Sequence, residues 1–132
     1  MAVAYIALGS NLGDREQNLN LALQYIAGNE IKIEKVSRFL ESEPYGVTDQ
    51  PKFINAVARV RTELPPEKLL DTLLEIENKM GRVRKRHWGE RNIDLDLLLY
   101  DDIKMQTPKL TLPHPDMQNR DFVMIPLAEV KI

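Results

Sequence analysis

The chain has 132 residues, of which 43% are hydrophobic and 29% are charged, with a formal net charge of -2. This length suits a single domain, and the composition excludes a disordered chain. The slightly negative charge argues against general attraction to nucleic acid or an anionic membrane, so any basic site must be local. Cysteine is absent, which excludes disulfides, thiolate metal sites and a cysteine nucleophile.

No stretch approaches the roughly 18 consecutive apolar residues that a membrane-spanning helix needs. The apolar run Ala2–Leu8 lacks a cationic leader and stops at Gly9, so it does not resemble a signal peptide. We therefore expect a soluble cytoplasmic protein that forms one domain over residues 1–132 and has no membrane partner.

Six segments with helical or strand periodicity follow one another along the chain. The first half predicts a strand at Val3–Leu8, a loop at Gly9–Asp14, a helix through Leu19, Leu23 and Ile26 that ends near Gly28, and an extended segment from Ile31 to Phe39. The second half predicts a strand at Phe53–Arg61, a helix that begins at Pro65-Pro66 and ends at Gly81, and a strand at Ile93–Tyr100. Four prolines after Asp101 predict loops and short helical pieces up to Ile132.

The resulting order, β-α-β-β-α-β, predicts an α+β fold of the ferredoxin-like type. Its antiparallel sheet would carry two helices packed on one face, with C-terminal additions. Many unrelated functions use this fold, so the fold alone does not indicate one.

Asp94 and Asp96 lie two residues apart on the last predicted strand, so their side chains share one face. Their Cα atoms would be roughly 6.5 Å apart, and Ile93, Leu95, Leu97 and Leu99 would form the opposite, core face. Two neighbouring carboxylates are a fitting pair of ligands for Mg²⁺ bound to substrate phosphates. Taken alone, such a pair is more often two unrelated acids on a solvated strand face.

Five cationic side chains precede this strand: Arg82, Arg84, Lys85, Arg86 and Arg91. Arginine forks match phosphate oxygens, so a basic loop that leads into an acidic pair is suited to a metal–polyphosphate. The alternative is a solubilising loop that folds back onto the aspartates as ion pairs.

Three further features are weaker. Trp88 offers a stacking surface for a planar ring, or simply packs against the preceding helix. His114, between two prolines, and Arg120 suit an orienting role and a phosphate contact respectively, although each is individually common as a structural residue. The run Gly9-Ser10-Asn11-Leu12-Gly13 follows a strand, but it lacks the phosphate-loop signature and is better interpreted as a turn.

The block from Arg82 to Leu98, with Trp88-Gly89-Glu90-Arg91-Asn92-Ile93-Asp94-Leu95-Asp96, resembles the 6-hydroxymethyl-7,8-dihydropterin pyrophosphokinase family of folate biosynthesis. The resemblance covers essentially the whole chain. It includes Gly9-Ser10-Asn11-Leu12, Glu43-Pro44-Tyr45-Gly46, Asp49-Gln50-Pro51, Asn55, Leu112-Pro113-His114, Asn119-Arg120-Asp121-Phe122 and Pro126-Leu127. Many members continue beyond the position of Ile132, and we expect that difference to leave the chemistry unaffected.

The resemblance implies transfer of the terminal diphosphate of ATP to the hydroxymethyl group of a reduced pterin, with release of AMP. It implies two magnesium ions held by Asp94 and Asp96, and catalytic arginines, Arg82 and Arg91, that close over the phosphates. The implied ATP contacts are Leu70, Glu77, Arg84, Lys85, Trp88, Arg91, Leu97, Thr111, His114 and Arg120. The implied pterin contacts are Ser42, Tyr45, Gly46, Phe53, Asn55, Trp88 and Phe122.

The main rival interpretation is an RNA-binding module, because RNA-recognition domains share the β-α-β-β-α-β order. Such a domain needs a basic face with exposed aromatic residues, whereas this chain places two acids on the last strand. We therefore expect ATP and a pterin as partners, no nucleic acid, and a monomer.

Overall fold

A computed structural model describes residues 1–43, 49–81 and 92–132. The strands are β1 Ala2–Ser10, β2 Ile31–Val36, β3 Leu40–Ser42, β4 Phe53–Thr62, β5 Asp94–Tyr100, β6 Met105–Gln106 and β7 Thr111–Leu112. The helices are α1 Arg15–Ala27, α2 Pro66–Lys79 and α3 Asp121–Val130, with a short 3₁₀ turn at Met117–Asn119. The described chain is therefore a mixed α and β fold with three α-helices.

The main sheet has the order β2-β4-β1-β5, with β3 also paired to β4, and every pairing is antiparallel. β6 and β7 form a separate two-stranded sheet. The expected antiparallel sheet is confirmed. Within the described residues no helix is long and apolar enough to cross a membrane.

The single extended segment expected from Ile31 to Phe39 is wrong, because β2 ends at Val36 and β3 begins at Leu40. Ser37 explains the interruption. Its Oγ accepts the Val57 backbone N–H at 2.9 Å, and its own N–H donates to the Val57 carbonyl at 2.9 Å. The Ser37 hydroxyl thus accepts the Val57 N–H, which a backbone carbonyl of the paired strand would otherwise accept. The backbone hydrogen bonding between the strands is interrupted at this point.

The two faces of the sheet carry different cores. One face packs against α1 and α2, through buried residues such as Ile6, Leu19 and Leu73. The opposite face packs against α3, through Tyr5, Val57 and other residues. The sequence predicted only short helical pieces after Asp101, so the ten-residue α3, which contains Pro126, is longer than expected.

A β-bulge changes the alternation of β5. Tyr5 pairs with Leu99 but its neighbour Ile6 pairs with Leu97, which leaves Leu98 as an extra residue. Leu98 and Leu99 both contact the core beneath α3, whereas Leu97 lies in the core beneath α1 and α2. The expectation that Leu99 shares the face of Leu97 is therefore wrong.

Candidate active site

A pocket opens on the α3 face of the sheet, beside the N-terminal end of that helix. It encloses about 590 Å³ of empty space, its solvent mouth included. Its lining comes from β1, β3, β4, β5 and the start of α3: Ala7, Leu8, Gly9, Ser42, Glu43, Phe53, Asn55, Ala56, Asp94, Asp96, Arg120, Phe122 and Val123. This mixed lining, with a few polar groups among apolar and aromatic ones, is typical of sites that take small organic ligands.

Small side chains on β1 create the floor of the pocket. The residues of β1 on this face shrink towards the pocket, from Tyr5 through Ala7 to Gly9. A Cβ atom on Gly9 would lie 3.3 Å from Asn55 Oδ1 and 3.6 Å from Phe53 Cδ1. A larger residue at position 9 would therefore fill the space that a ligand needs.

Asp94 and Asp96 stand on the β5 side of this floor. Asp94 pairs with Gly9 and Asp96 with Ala7, and both aspartates are half-buried in the pocket wall. Among the described residues no group of three or more potential metal ligands is present. Two carboxylates beside small residues fit Mg²⁺, which takes one or two protein carboxylates and completes its shell with water and phosphate oxygens.

Glu77 of α2 supports the same part of β5 from the opposite side. Its side chain is 3% exposed, and Oε2 accepts the Leu95 backbone N–H at 2.7 Å. Leu95 lies between the two aspartates, so this hydrogen bond fixes the backbone that carries them. A buried carboxylate needs such polar partners to offset its lost hydration.

Asn55 organises the opposite wall. It is 6% exposed, and its Nδ2 donates to Ser42 Oγ at 2.7 Å and to the Leu40 carbonyl at 3.2 Å. Phe53 and Phe122 contribute half-buried aromatic rings to the same pocket. This wall therefore combines fixed polar groups with flat apolar surfaces, which suits a planar heterocycle.

Arg120 provides positive charge at the pocket, and His114 provides a titratable ring near it. The guanidinium carbon of Arg120 lies 5.9 Å from the centre of the Phe122 ring, and its Nη2 lies 3.7 Å from Asp116 Oδ2. The backbone N–H of His114 donates to the Leu98 carbonyl at 2.9 Å. Burial, and then the charge of Arg120, lower the pKa of His114 below its ordinary value of 6.5.

Comparison with known proteins identifies the family. Residues 5–132 match the family model of 7,8-dihydro-6-hydroxymethylpterin-pyrophosphokinase. The chain belongs to this pyrophosphokinase family.

Curated relatives agree over almost the full chain. A 2-amino-4-hydroxy-6-hydroxymethyldihydropteridine pyrophosphokinase of Haemophilus influenzae is 51% identical over 98% of this chain and 82% of its own length. The protein of the same name from Bacillus subtilis is 43% identical over 97% of this chain and 77% of its own length.

Solved structures show the same fold at low identity. A crystal structure of HPPK-DHPS in complex with substrates aligns with a TM-score of 0.70 and 14% identity, over 98% of this chain and 40% of that one. A Plasmodium falciparum HPPK-DHPS triple mutant with STZ-DHP aligns with a TM-score of 0.73 and 13% identity, over 98% and 39%. This chain thus spans about two fifths of those longer proteins.

The structure brings together seven residues that the pyrophosphokinase resemblance singled out: Ser42, Phe53, Asn55, Asp94, Asp96, Arg120 and Phe122. Five others do not line the pocket: Leu70, Glu77, Leu97, Thr111 and His114. Leu97 is buried in the core and presents no side chain to a ligand, whereas Leu70 is partly buried and packs against the same core. Tyr45, Gly46, Arg82, Arg84, Lys85, Trp88 and Arg91 lie outside the described residues.

Sequence reasoning missed the contribution of β1. The loop predicted to begin at Gly9 is wrong at its start, because β1 extends through Ser10 and pairs Gly9 with strands on both sides. Ala7 and Gly9 could have predicted this contribution, because two small residues two positions apart on a strand leave a hollow on one face of the sheet. Val123, which also lines the pocket, belongs to none of the motifs that predict the site.

Proposed function

We propose that this chain transfers diphosphate from ATP to the hydroxymethyl group of 6-hydroxymethyl-7,8-dihydropterin and releases AMP. One observation carries the proposal: the two aspartates of β5 open onto the same pocket as two aromatic rings. Phosphate chemistry and a flat acceptor therefore meet in one place, in a chain of the pyrophosphokinase family.

The acceptor is proposed to lie on the β3–β4 side. Phe53 and Phe122 would contact the faces of the pterin ring, while Asn55 and Ser42 would meet its polar edge. Asn55 is suited to this because its amide nitrogen is already held by Ser42 and the Leu40 carbonyl. Such preorganisation reduces the entropy lost on binding. Tyr45, Gly46 and Trp88 complete the proposed pterin contacts.

ATP and two magnesium ions are proposed to bind on the β5 side. Asp94 and Asp96 would hold the metal, and bound magnesium would offset the negative charge of the phosphates. The proposed ATP contacts are Leu70, Glu77, Arg84, Lys85, Trp88, Arg91, Leu97, Thr111, His114 and Arg120. For Glu77 and Leu97, burial limits the proposed contribution to shaping and support of the nucleotide site.

The proposed reaction is a direct displacement at phosphorus. The pterin hydroxyl oxygen forms a bond to the β-phosphorus of ATP, the bond from that phosphorus to the α–β bridging oxygen breaks, and AMP leaves. The hydroxyl proton passes to solvent. No protein nucleophile is needed, so the pocket acts mainly by orienting the two substrates, and Arg82 and Arg91 would close over the phosphates.

The decisive assay mixes the protein, MgCl₂, ATP and the reduced pterin, and separates the nucleotides by chromatography. We expect AMP in equal amount to the pterin diphosphate, and no product when magnesium is replaced by EDTA. Formation of ADP would instead indicate single phosphoryl transfer and would overturn the proposed reaction.

Four broader features belong to the same proposal. We propose a single domain over residues 1–132, a monomer and a cytoplasmic location. We also propose that the sheet is of the ferredoxin-like class, on the basis of its strand order and antiparallel pairing. A sedimentation measurement at micromolar concentration would test the monomer.

A further inference from the structure

Glu43 and Phe53, which flank the connection between β3 and β4, both line the pocket. Residues 49–52 lead directly into Phe53, the first residue of β4, whose ring lines the pocket. We call residues 49–52 the return arm. The position of this arm bears on the position of Phe53, because only one peptide bond separates Lys52 from it.

Asn11 ties the return arm to the end of β1. It is 1% exposed, and its Nδ2 donates to Gln50 Oε1 at 2.8 Å and to the Pro51 carbonyl at 2.9 Å. Gln50 is itself 8% exposed, so the first of these bonds is shielded from water. Both hydrogen atoms of one amide group are thus used on a segment about 40 residues away in sequence.

Arg15, the first residue of α1, makes a second tie. Its Nη1 donates to the Lys52 carbonyl at 2.8 Å and lies 3.2 Å from Glu41 Oε2. Glu41 belongs to β3, so Arg15 links the return arm to the strand that precedes the same connection. Lys52 and Glu43 also approach to 3.4 Å at the surface.

From these contacts we infer that Asn11 and Arg15 are positioning residues for the pterin side of the pocket. They hold the return arm against the end of β1, and through it they set the placement of the Phe53 ring. This role explains why an asparagine, with two donors on one atom, follows β1 in a run that lacks a phosphate-loop signature. The inference rests on the proposed pterin site, and it adds residues that do not themselves touch the substrate.

Asn18, in the first turn of α1, provides a control close to Asn11 in sequence. Its Nδ2 also makes two hydrogen bonds, to Ser10 Oγ at 3.2 Å and to the Leu12 carbonyl at 2.9 Å. These acceptors lie at the end of β1 and in the turn that follows it, and neither belongs to the return arm. A general loss of order after β1 would therefore affect the Asn18→Ala and Asn11→Ala variants alike, whereas the inferred role affects only Asn11→Ala.

The experiment measures pterin binding by calorimetry in the presence of MgCl₂ and a non-hydrolysable ATP analogue, for wild type, Asn11→Ala, Arg15→Met and Asn18→Ala. Loss of two hydrogen bonds should raise the pterin Kd about tenfold in Asn11→Ala. We expect a rise of about threefold in Arg15→Met, whose lost bonds are more exposed, and less than about twofold in Asn18→Ala. The Kd of the ATP analogue alone should stay within about twofold of wild type in all three variants.

Hydrogen exchange gives a readout that is independent of binding. The amides of Asp49, Gln50, Lys52 and Phe53 should exchange faster in Asn11→Ala than in Asn18→Ala, while those of β1 and β5 remain unchanged. Unaltered exchange in the return arm, or equal losses of ATP-analogue and pterin affinity, would overturn the inference. If Asn11→Ala does not fold, Arg15→Met decides by the same two measurements. Failure of the wild-type protein to bind the pterin would instead contradict the proposed function.

Discussion

The two faces of the sheet differ in how completely the helices cover them. On the face beneath α1 and α2, β1 presents Ile6 and Leu8, and the core there is continuous. On the α3 face, β1 presents Tyr5, Ala7 and Gly9 in decreasing size, and α3 begins at the edge of the resulting hollow. One face of β1 thus packs in the core and stabilises the fold, while its other face leaves space that a ligand can occupy.

Along β5, the charged side chains follow the same division. The acids Asp94 and Asp96 open onto the hollow, whereas the side chains of Ile93, Leu95 and Leu97 lie in the opposite core. This difference predicts that substitutions on the pocket face change activity more than stability, and that substitutions on the packed face do the reverse.

The largest expected effect comes from Asp96→Ala. Removal of one carboxylate from the proposed magnesium site should lower kcat by at least about a thousandfold, with little change in Tm. A steady-state assay of AMP release, run with excess MgCl₂, measures this. Asp102→Ala is a suitable control, because Asp102 is an exposed acid just beyond β5. Wild-type turnover in Asp96→Ala would remove the aspartate from the proposed mechanism.

Leu73→Ala tests the packed face. Leu73 is fully buried between α2 and the sheet, so the cavity should lower the free energy of unfolding by about 2–5 kcal/mol. Urea titration measures the loss. The pterin Kd of the folded variant should stay close to that of wild type.

Leu127→Ala offers the comparison on α3, where a similar loss of stability should be accompanied by weaker pterin binding. Equal effects of both variants on binding would contradict the division between the faces.

Gly9→Ala reduces the hollow itself. The added Cβ would approach Asn55 Oδ1 to 3.3 Å, so we expect the pterin Kd to rise about fivefold while the fold persists. Calorimetry measures the affinity. In Gly28→Ala the new Cβ would lie 3.6 Å from the Tyr25 carbonyl oxygen, an ordinary van der Waals contact, and binding should not change. Unaltered affinity in Gly9→Ala would show that the floor at this position is not used.

The smallest expected effect is the pH dependence contributed by His114. Since burial lowers its pKa below 6.5 in the folded state, the unfolded chain binds the proton more readily. The unfolding free energy should therefore fall as the pH decreases below about 6.5, by less than about 1 kcal/mol for this partly exposed ring. Urea titrations of wild type and His114→Gln between pH 5 and 8 measure it. The variant should show the shallower slope, and an identical slope would refute this assignment.

Elements with strong local signals were predictable from the sequence. The helix that begins after Pro65 and stops before Gly81 follows from proline at its start and a glycine with a φ of 67° beyond its end. The shared face of Asp94 and Asp96 follows from strand alternation alone. Both inferences need only a few neighbouring residues.

Features that depend on distant partners were not predictable. The break at Ser37 requires the Val57 N–H, and the bulge at Leu98 depends on the register with β1. The role of Gly9 emerges only when β4 and β5 lie on either side of it. In the candidate site, spacing suggested a metal–polyphosphate, while the pterin and the diphosphate came from the family resemblance.

A structure of the chain with MgCl₂, a non-hydrolysable ATP analogue and the reduced pterin would test the central claim most directly. The account predicts the pterin ring between Phe53 and Phe122, with its hydroxymethyl group towards metal ions on Asp94 and Asp96. A pterin bound on the α1 and α2 side of the sheet, or metal ions away from both aspartates, would contradict it.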